Sequence, residues 1–320
     1  MDVLIIGAGV IGSIYGWALS QAGHSVMHLV RSGRSDQYKN GIAIDLMDRR
    51  KGHQRWFKGT YEIRVTEGIH PNANDEIIII PVRHYAIEDA LRELVPLVPN
   101  ADCILLTQNW KGTEGIDHFL SMDKCVFGDA KAGGSFQGHQ LVGTIYGIDI
   151  GIIGKAETES LRRAKELFLS ADLRTIVQKN ILHYLWVQYA VNGGGWPAVV
   201  QAGSLRSALK SPQLVQSLWA AVRECLDVIQ ARGVDISQFP ETGMYLTDLA
   251  VKKFFYITVM KLLIGHSKYI QRNSAHALAD PKEIKTFYYD LIGAGERLGI
   301  KMPVMLSFKS MIDRLGTPAA

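Results

Sequence analysis

Cysteine is scarce in this chain of 320 residues: Cys103, Cys125 and Cys225 stand apart, without the paired spacing of a disulfide framework or a thiolate metal site. Structural thiols in a reducing compartment are the expectation. Long apolar runs are missing too, none reaching the roughly 18 residues of a membrane span. Met1 stands almost directly before the first strand-like run, so neither a membrane helix nor a signal peptide is expected, and a cytoplasmic location is. Charge is nearly balanced, with 35 Lys and Arg against 31 Asp and Glu and a net +4. That excess is too small to argue for nucleic acid, and the local basic run Arg49, Arg50, Lys51, His53, Arg55 and Lys58 reads as a solvated loop. Repeats, low-complexity tracts and long linkers are absent. What remains, 47% hydrophobic and 21% charged residues over this length, suits two globular domains packed directly on each other with a cleft between them.

The most informative stretch is the first one. Val3-Leu4-Ile5-Ile6 runs into Gly7-Ala8-Gly9-Val10-Ile11-Gly12 and then into an amphipathic segment that ends at Gly23. Strand, glycine turn and helix in that order are the context a dinucleotide-binding turn requires. Gly7 would allow the tight turn, Gly9 the approach of a pyrophosphate, and Gly12 close packing of helix on strand. The N–H groups at the helix start, those of Val10 and Ile11 among them, would hold the phosphates with the helix dipole.

A second absence bears on which dinucleotide. After the strand-like run Ser25 to Val30, about 20 residues past the glycines, NAD-binding proteins carry an acid for the ribose 2′-hydroxyl. Here Arg31-Ser32-Gly33-Arg34 stands instead. Arg31 and Arg34 offer planar forks suited to a 2′-phosphate, so NADP (NADPH) is the expected cofactor.

Gly41 to Val65 reads as peripheral strands around a basic hairpin or loop. Glu76 to Pro81 is a buried parallel strand, a helix follows over Tyr85 to Leu97, and Cys103 to Leu106 is the next strand, delivering Gln108-Asn109 to its carboxyl end, where open parallel sheets bind ligands. Strand signals at Leu141–Tyr146 and Asp149–Ile153, a helix over Thr158–Ala171 and a strand at Arg174–Val177 complete the alternation. From Asn180 onward only helical periodicities remain: Ile181–Ala190, Pro212–Arg232, Phe239 or later to Gly265, and Lys282–Leu298. The fold class is therefore a doubly wound, mostly parallel α/β Rossmann domain, residues 1–178, followed by an all-α domain, residues 179–320, for substrate and dimerisation. Phe254-Phe255-Tyr256, Trp186, Trp196 and Trp219 read as core rings, or as the lining of a larger substrate site.

The order of these features resembles the ketopantoate reductase (2-dehydropantoate 2-reductase) family, which pairs a Rossmann domain with a helical domain of the 6-phosphogluconate-dehydrogenase type. The resemblance is carried by Gly7 to Gly12 with Arg31, Pro81-Val82-Arg83, Gln108-Asn109, Trp186 to Asn192 with Pro197, Lys282-Glu283-Ile284, and Gly299 to Pro303. It implies an NADP-dependent oxidoreductase that moves hydride to the carbonyl of an oxo-acid. Arg83 takes the place of a cofactor-proximal lysine, and Asn109 would lie at the nicotinamide end, contacting cofactor and substrate. Asn192, Glu283 and Ser274 would meet the substrate. The Gly193-Gly194-Gly195 run would end the Asn192 helix beside the cleft, and the family's habit implies a homodimer. No membrane or nucleic-acid partner is implied. Glu283 also fits an ordinary first helical turn.

One departure concerns the chemistry. Family reductases carry a lysine four residues before the Asn; here that residue is Gln188, which donates a hydrogen bond but gives up no proton at neutral pH. Three accounts stay open. Another acid replaces it: Lys111, His183, Tyr184, or Lys131, expected on the glycine-rich loop Asp129 to Gly134. Alternatively, the substrate is an imine, as in opine-type dehydrogenases, where hydride neutralises an existing charge. Last, the chain binds NADP without turnover, as a regulatory protein.

Overall fold

The computed structural model describes residues 1–68, 77–98, 100–154, 157–260, 267, 268, 272 and 280–316. The chain divides into two compact units, Met1–Leu182 and a second beginning at His183.

In the first unit a strand β1 (Asp2–Ile6) is flanked by β2 (Ser25–Leu29) on one side and β6 (Ile77–Ile80) on the other, all parallel. Beyond β6 lie β7 (Asp102–Leu106) and β8 (Cys125–Gln137), and beyond β2 lies the short β5 (Val65–Thr66). The chain thus leaves β1 for one side and later returns to the other, so the strand order reverses beside β1. In doubly wound sheets that reversal opens a crevice at the carboxyl ends of the strands. Every residue of β6 and β7 is buried, as a parallel sheet covered on both faces requires. Alternate residues, Val3, Ile5, Ile77, Ile79, Ile104 and Leu106, join the core beneath α1 (Val10–Gln21) and α3 (Glu159–Ser170). Helix α3 is capped by Thr158, whose hydroxyl accepts from Leu161 N at 3.2 Å.

The sheet extends further than the local patterning suggests. The Gly41–Val65 stretch forms the sheet's margins, with the expected basic hairpin: β3 (Ile42–Asp48) pairs in parallel with β9 (Gln140–Gly151) and antiparallel with the edge strand β4 (Arg55–Tyr61), and even so Ile44 and Leu46 are fully buried. The two expected strands at 141–146 and 149–153 are one, β9. Gly147 does not break it; a Cβ there would lie 2.3 Å from Arg174 O, so glycine admits β10 (Arg174–Val177) at close range. The expected helix over 85–97 is shorter, α2 (Ile87–Leu94) with a 3-10 turn at each end, the second carrying Pro96.

The second unit is helical: α4 (Ile181–Ala202), α5 (Leu205–Lys210), α6 (Pro212–Ala231), α7 (Gly243–Leu246), α8 (Ala250–Val259), α9 (Pro281–Leu298) and two short helices, Pro303–Ser307 and Lys309–Arg314. The expected stop at Gly193-Gly194-Gly195 is overturned. Helix α4 runs through those glycines and Pro197 because two of them are packing sites rather than breakers. A Cβ on Gly194 would lie 2.7 Å from Val222 Cα of α6, and one on Gly193 would lie 2.4 Å from Leu291 Cδ1 of α9. Of the helix expected from Phe239 or later to Gly265, the part over Ala250–Val259 is α8, preceded by 3-10 turns and the short α7, while its end at Gly265 lies outside the described residues; Phe254 and Phe255 are exposed, and Trp219 is buried, its Nε1 donating to Met244 O at 3.1 Å. Ser274 lies outside the described residues. Among the described residues no helix is long and apolar enough to cross a membrane.

Candidate functional site

The turn after β1 is fixed from several sides. Gly7 has φ +85°, a conformation that disfavours any residue with a Cβ. Its N–H donates to Leu29 O at 2.8 Å, while Ser13 Oγ donates to Ala8 O at 3.1 Å. The first helical bond runs from Ser13 N to Gly9 O at 2.8 Å, so the N–H groups of Val10, Ile11 and Gly12 precede the intrahelical ladder and point out of the helix start. Gly12 is a packing residue: a Cβ would stand 3.0 Å from Gly7 O, 3.2 Å from Ile5 Cγ2 and 3.3 Å from Pro81 Cγ. Gly9 differs from both. Its backbone is ordinary, φ −72° and ψ −178°, it is exposed, and a Cβ would meet nothing within 4 Å. Neither strain nor protein packing requires a glycine there.

Beneath the turn, His28 is fully buried. Its Nδ1 lies 2.9 Å from Gly7 O, and its Nε2 lies 3.0 Å from Tyr61 Oη. A carbonyl only accepts, so Nδ1 carries the proton and Nε2 accepts from the tyrosine. Burial pushes the imidazole down to about 4, against the opposing pull of the Gly7 carbonyl. The unfolded chain therefore binds a proton that the fold refuses. Stability from His28 is complete above about pH 6.5 and is lost as pH falls toward about 4, by up to about 3 kcal/mol. Urea melts at pH 7 and pH 4.5 on the wild type and on His28→Asn should show the difference shrinking in the variant.

At the end of β2, Arg31 and Arg34 are exposed on a turn in which Arg34 N donates to Arg31 O at 3.1 Å. No acid directly follows β2 in sequence, yet the sheet brings one: Glu67, just past β5, accepts from Ser35 N at 2.7 Å. The N–H groups of Gly33 and Ser35, then the Ser35 hydroxyl, hold this carboxyl down at about 2. Arg83 is exposed and opens the 3-10 turn after β6.

Beyond β7, Asn109 is 2% exposed and its Nδ2 donates to Gly112 O, so the amide closes its own loop. The expectation of a glycine-rich loop carrying Lys131 is overturned. The segment is part of β8, with a bulge between Lys131 and Ala132, and its glycines serve close pairing, since a Cβ on Gly134 would lie 2.3 Å from Val142 O. Lys131 Nζ stands 2.6 Å from Asp129 Oδ2 and 3.2 Å from Asp149 Oδ2, both aspartates being buried. Gln178 Nε2 donates to Asp149 Oδ1 at 2.7 Å, and Gln108 Nε2 to Asp129 Oδ1 at 3.4 Å. The ammonium is thus matched by two carboxylates.

In the helical unit, Gln188 Nε2 donates to Glu241 Oε1 at 2.7 Å. Where the resemblance places an ammonium, this chain has an amide with a carboxylate behind it. One residue on, Tyr189 donates to Asp290 Oδ2 at 2.7 Å and stacks on Phe287 at 3.9 Å. Burial, then the Asp290 carboxylate, then Glu283 push that phenol up. Glu283 sits in the first turn of α9, its N–H donating to the capping Asp280 at 3.2 Å. Asn192 is half-buried on α4, one turn from Gln188. Of the other candidate acids, Tyr184 is buried, its ring 6.4 Å from that of Phe239, and His183 stacks on Trp186 with burial pushing it down.

Sequence reasoning missed His28, Glu67 and Glu241. None has a local signal; each acquires its partner through pairing of distant segments.

Residues 3–142 match the family model described as Ketopantoate reductase PanE/ApbA. A 2-dehydropantoate 2-reductase of Pyrococcus horikoshii is 28% identical over 197 residues, 60% of this chain and 61% of that protein; the match thus spans under two thirds of the relative's length. Among solved structures, the 2-dehydropantoate 2-reductase of Geobacter metallireducens superposes with TM-score 0.73 at 14% identity, covering 98% of this chain and 99% of that one. A D-mandelate dehydrogenase solved with NADH gives 0.71 at 15%, covering 98% of each. At such identities the structures speak for the fold alone. Residues 3–142 thus match the ketopantoate reductase family model, and with its glycine turn and the strand order of its sheet the chain is similar to that family, with Gln188 where the resemblance expects a lysine.

Proposed function

We propose that this protein is an NADPH-dependent reductase that transfers hydride to the carbonyl of an oxo-acid or related compound, 2-dehydropantoate among the candidates. The observation that carries the reading is Gly9, a glycine that neither strain nor packing explains, at the strand-order reversal of a doubly wound sheet. The Val10, Ile11 and Gly12 N–H groups would take the pyrophosphate. Arg31 and Arg34 would take a 2′-phosphate, with Arg83 and Asn109 toward the nicotinamide. When bound, the nicotinamide supplies the hydride. The protein's part is to hold two carbons close, exclude water and stabilise the developing charge. In the helical unit that part falls to Gln188, Asn192 and Glu283, with Ser274 and Lys131 as further candidates.

A second reading is favoured by one contact, the Glu241 carboxylate against Gln188. An amide backed by a carboxylate suits a cation better than an oxo-acid anion, which supports an imine or opine-type substrate whose iminium needs no proton donor. NADPH oxidation by the purified protein over oxo-acids, 2-dehydropantoate included, and over cyclic imines is the test. Turnover of oxo-acids supports the first reading and turnover confined to imines the second. Tight NADPH binding without oxidation of any of them would sink both in favour of a binding protein.

A further inference from the structure

The carboxylate of Glu67 stands where a doubly wound sheet reads the adenosine ribose. Strand β5 pairs in parallel with β2, His28 with Val65 and Leu29 with Thr66, and Val30 N donates to Thr66 O at 2.8 Å. The next residue, Glu67, therefore emerges beside the carboxyl end of β2. There it turns toward the Arg31–Ser35 turn and accepts from Ser35 N at 2.7 Å. Gly33 in that turn has φ +74°, and the successive N–H groups of Gly33, Arg34 and Ser35 all act on the same carboxylate and keep it ionised. Arg31 and Arg34 flank the same turn and are exposed, as is Glu67 itself.

We propose that Glu67 sets the choice between NADP and NAD, because its carboxylate is the resident anion on the backbone cradle beside Arg31 and Arg34, which a ribose 2′-phosphate occupies only by displacing it. The proposal rests on the nucleotide reading given above. A phosphate monoester carries about −1.5 to −2 at neutral pH, and it cannot share the Ser35 N–H with a carboxylate. A 2′-hydroxyl can, since it donates to a carboxylate without moving it. Glu67 thus opposes the preference that the two arginines create: they draw the 2′-phosphate in while the acid holds its place. Because Glu67 is exposed, its release puts no charge into an apolar surrounding; what is lost is the set of hydrogen bonds to the turn. This arrangement is invisible in the chain order, because the acid that answers for the ribose comes from a strand that follows β2 by two intervening strands.

Glu67→Gln keeps the shape of the side chain and removes its charge. Affinities of NADPH and NADH for wild type and variant, from quenching of protein fluorescence, are the readout, with melting temperature as a check on folding. The expected result is an NADPH affinity raised about tenfold with NADH changed by less than about twofold. Adenosine 2′,5′-bisphosphate against adenosine 5′-monophosphate should repeat the contrast in fragments that lack the nicotinamide. If Glu67 only caps the turn, both dinucleotides weaken together, and that outcome overturns the proposal, as does an unchanged NADPH to NADH ratio with both still binding. Failure of wild type and variant alike to bind either dinucleotide overturns the nucleotide reading as well, so the two failures are distinguishable.

Discussion

Gln188→Lys is expected to raise NADPH-dependent reduction of 2-dehydropantoate by about 100-fold or more, the usual contribution of a positioned general acid. Reduction of a carbonyl leaves an alkoxide that must gain a proton. The Gln188 amide can donate a hydrogen bond to that oxygen and no more. A lysine at this position of α4 would sit one turn before Asn192, with the Glu241 carboxylate within reach to keep its ammonium protonated. The new group would therefore be charged at neutral pH and able to give its proton in the transition state. Steady-state kinetics decide the matter: the gain belongs in kcat, with the KM for NADPH unchanged, because only the chemical step acquires an interaction. Should kcat stay where it is, the carbonyl reading of the substrate loses its support and the imine reading gains it.

Gly9→Ala is expected to lower dinucleotide affinity by about 100-fold, roughly 2.7 kcal/mol, while the melting temperature stays within about 2 °C of wild type. The physical basis is the contrast among three glycines of one turn. Gly7 is held at φ +85°, so any side chain there strains the fold. Gly12 faces Gly7 O at 3.0 Å, so an added methyl pushes helix from strand. Gly9 alone has an ordinary backbone and open space around its missing Cβ, so a methyl costs the apoprotein almost nothing and blocks whatever lies against it. Gly12→Ala provides the contrast, with stability and binding falling together. An undiminished affinity in Gly9→Ala would mean that no pyrophosphate crosses this turn.

The acid sensitivity expected of His28 belongs to the same structure. Its Nδ1 holds the Gly7 carbonyl, and Gly16 of α1 leaves room for its ring, since a Cβ there would lie 2.4 Å from His28 Nε2. The glycine turn is thus braced from below by a neutral imidazole.

Much of the candidate site is legible in the order of residues along the chain. An apolar run, a glycine pattern and a helix starting at once afterwards are adjacent in the sequence, and their geometry follows from local backbone preferences. The same holds for the continuous apolar strands β6 and β7, for Pro212 at the first turn of α6, and for Gly299 closing α9 at φ +69°. Glycine is the ambiguous letter. In Gly133-Gly134 and Gly193-Gly194 it suggests a loop and a helix end, yet it serves contact: β9 lies against the first pair, and α6 and α9 against the second. A missing side chain marks either a permissive backbone or a close neighbour, and the neighbour is not written nearby.

The sequence by itself determined the glycine turn, the parallel strands beside it, the helical second half and the amide at Gln188, because each rests on contacts within a few residues or on a single side chain's chemistry. Tertiary structure alone decided that Glu67 meets the turn after β2, that Glu241 stands behind Gln188, that Lys131 in a strand lies between two aspartates, and that His28 braces Gly7. Apart from Lys131 with Asp129, two residues away in the same strand, those pairings join groups 18 to 53 residues apart, and no local preference encodes which distant group a side chain will meet.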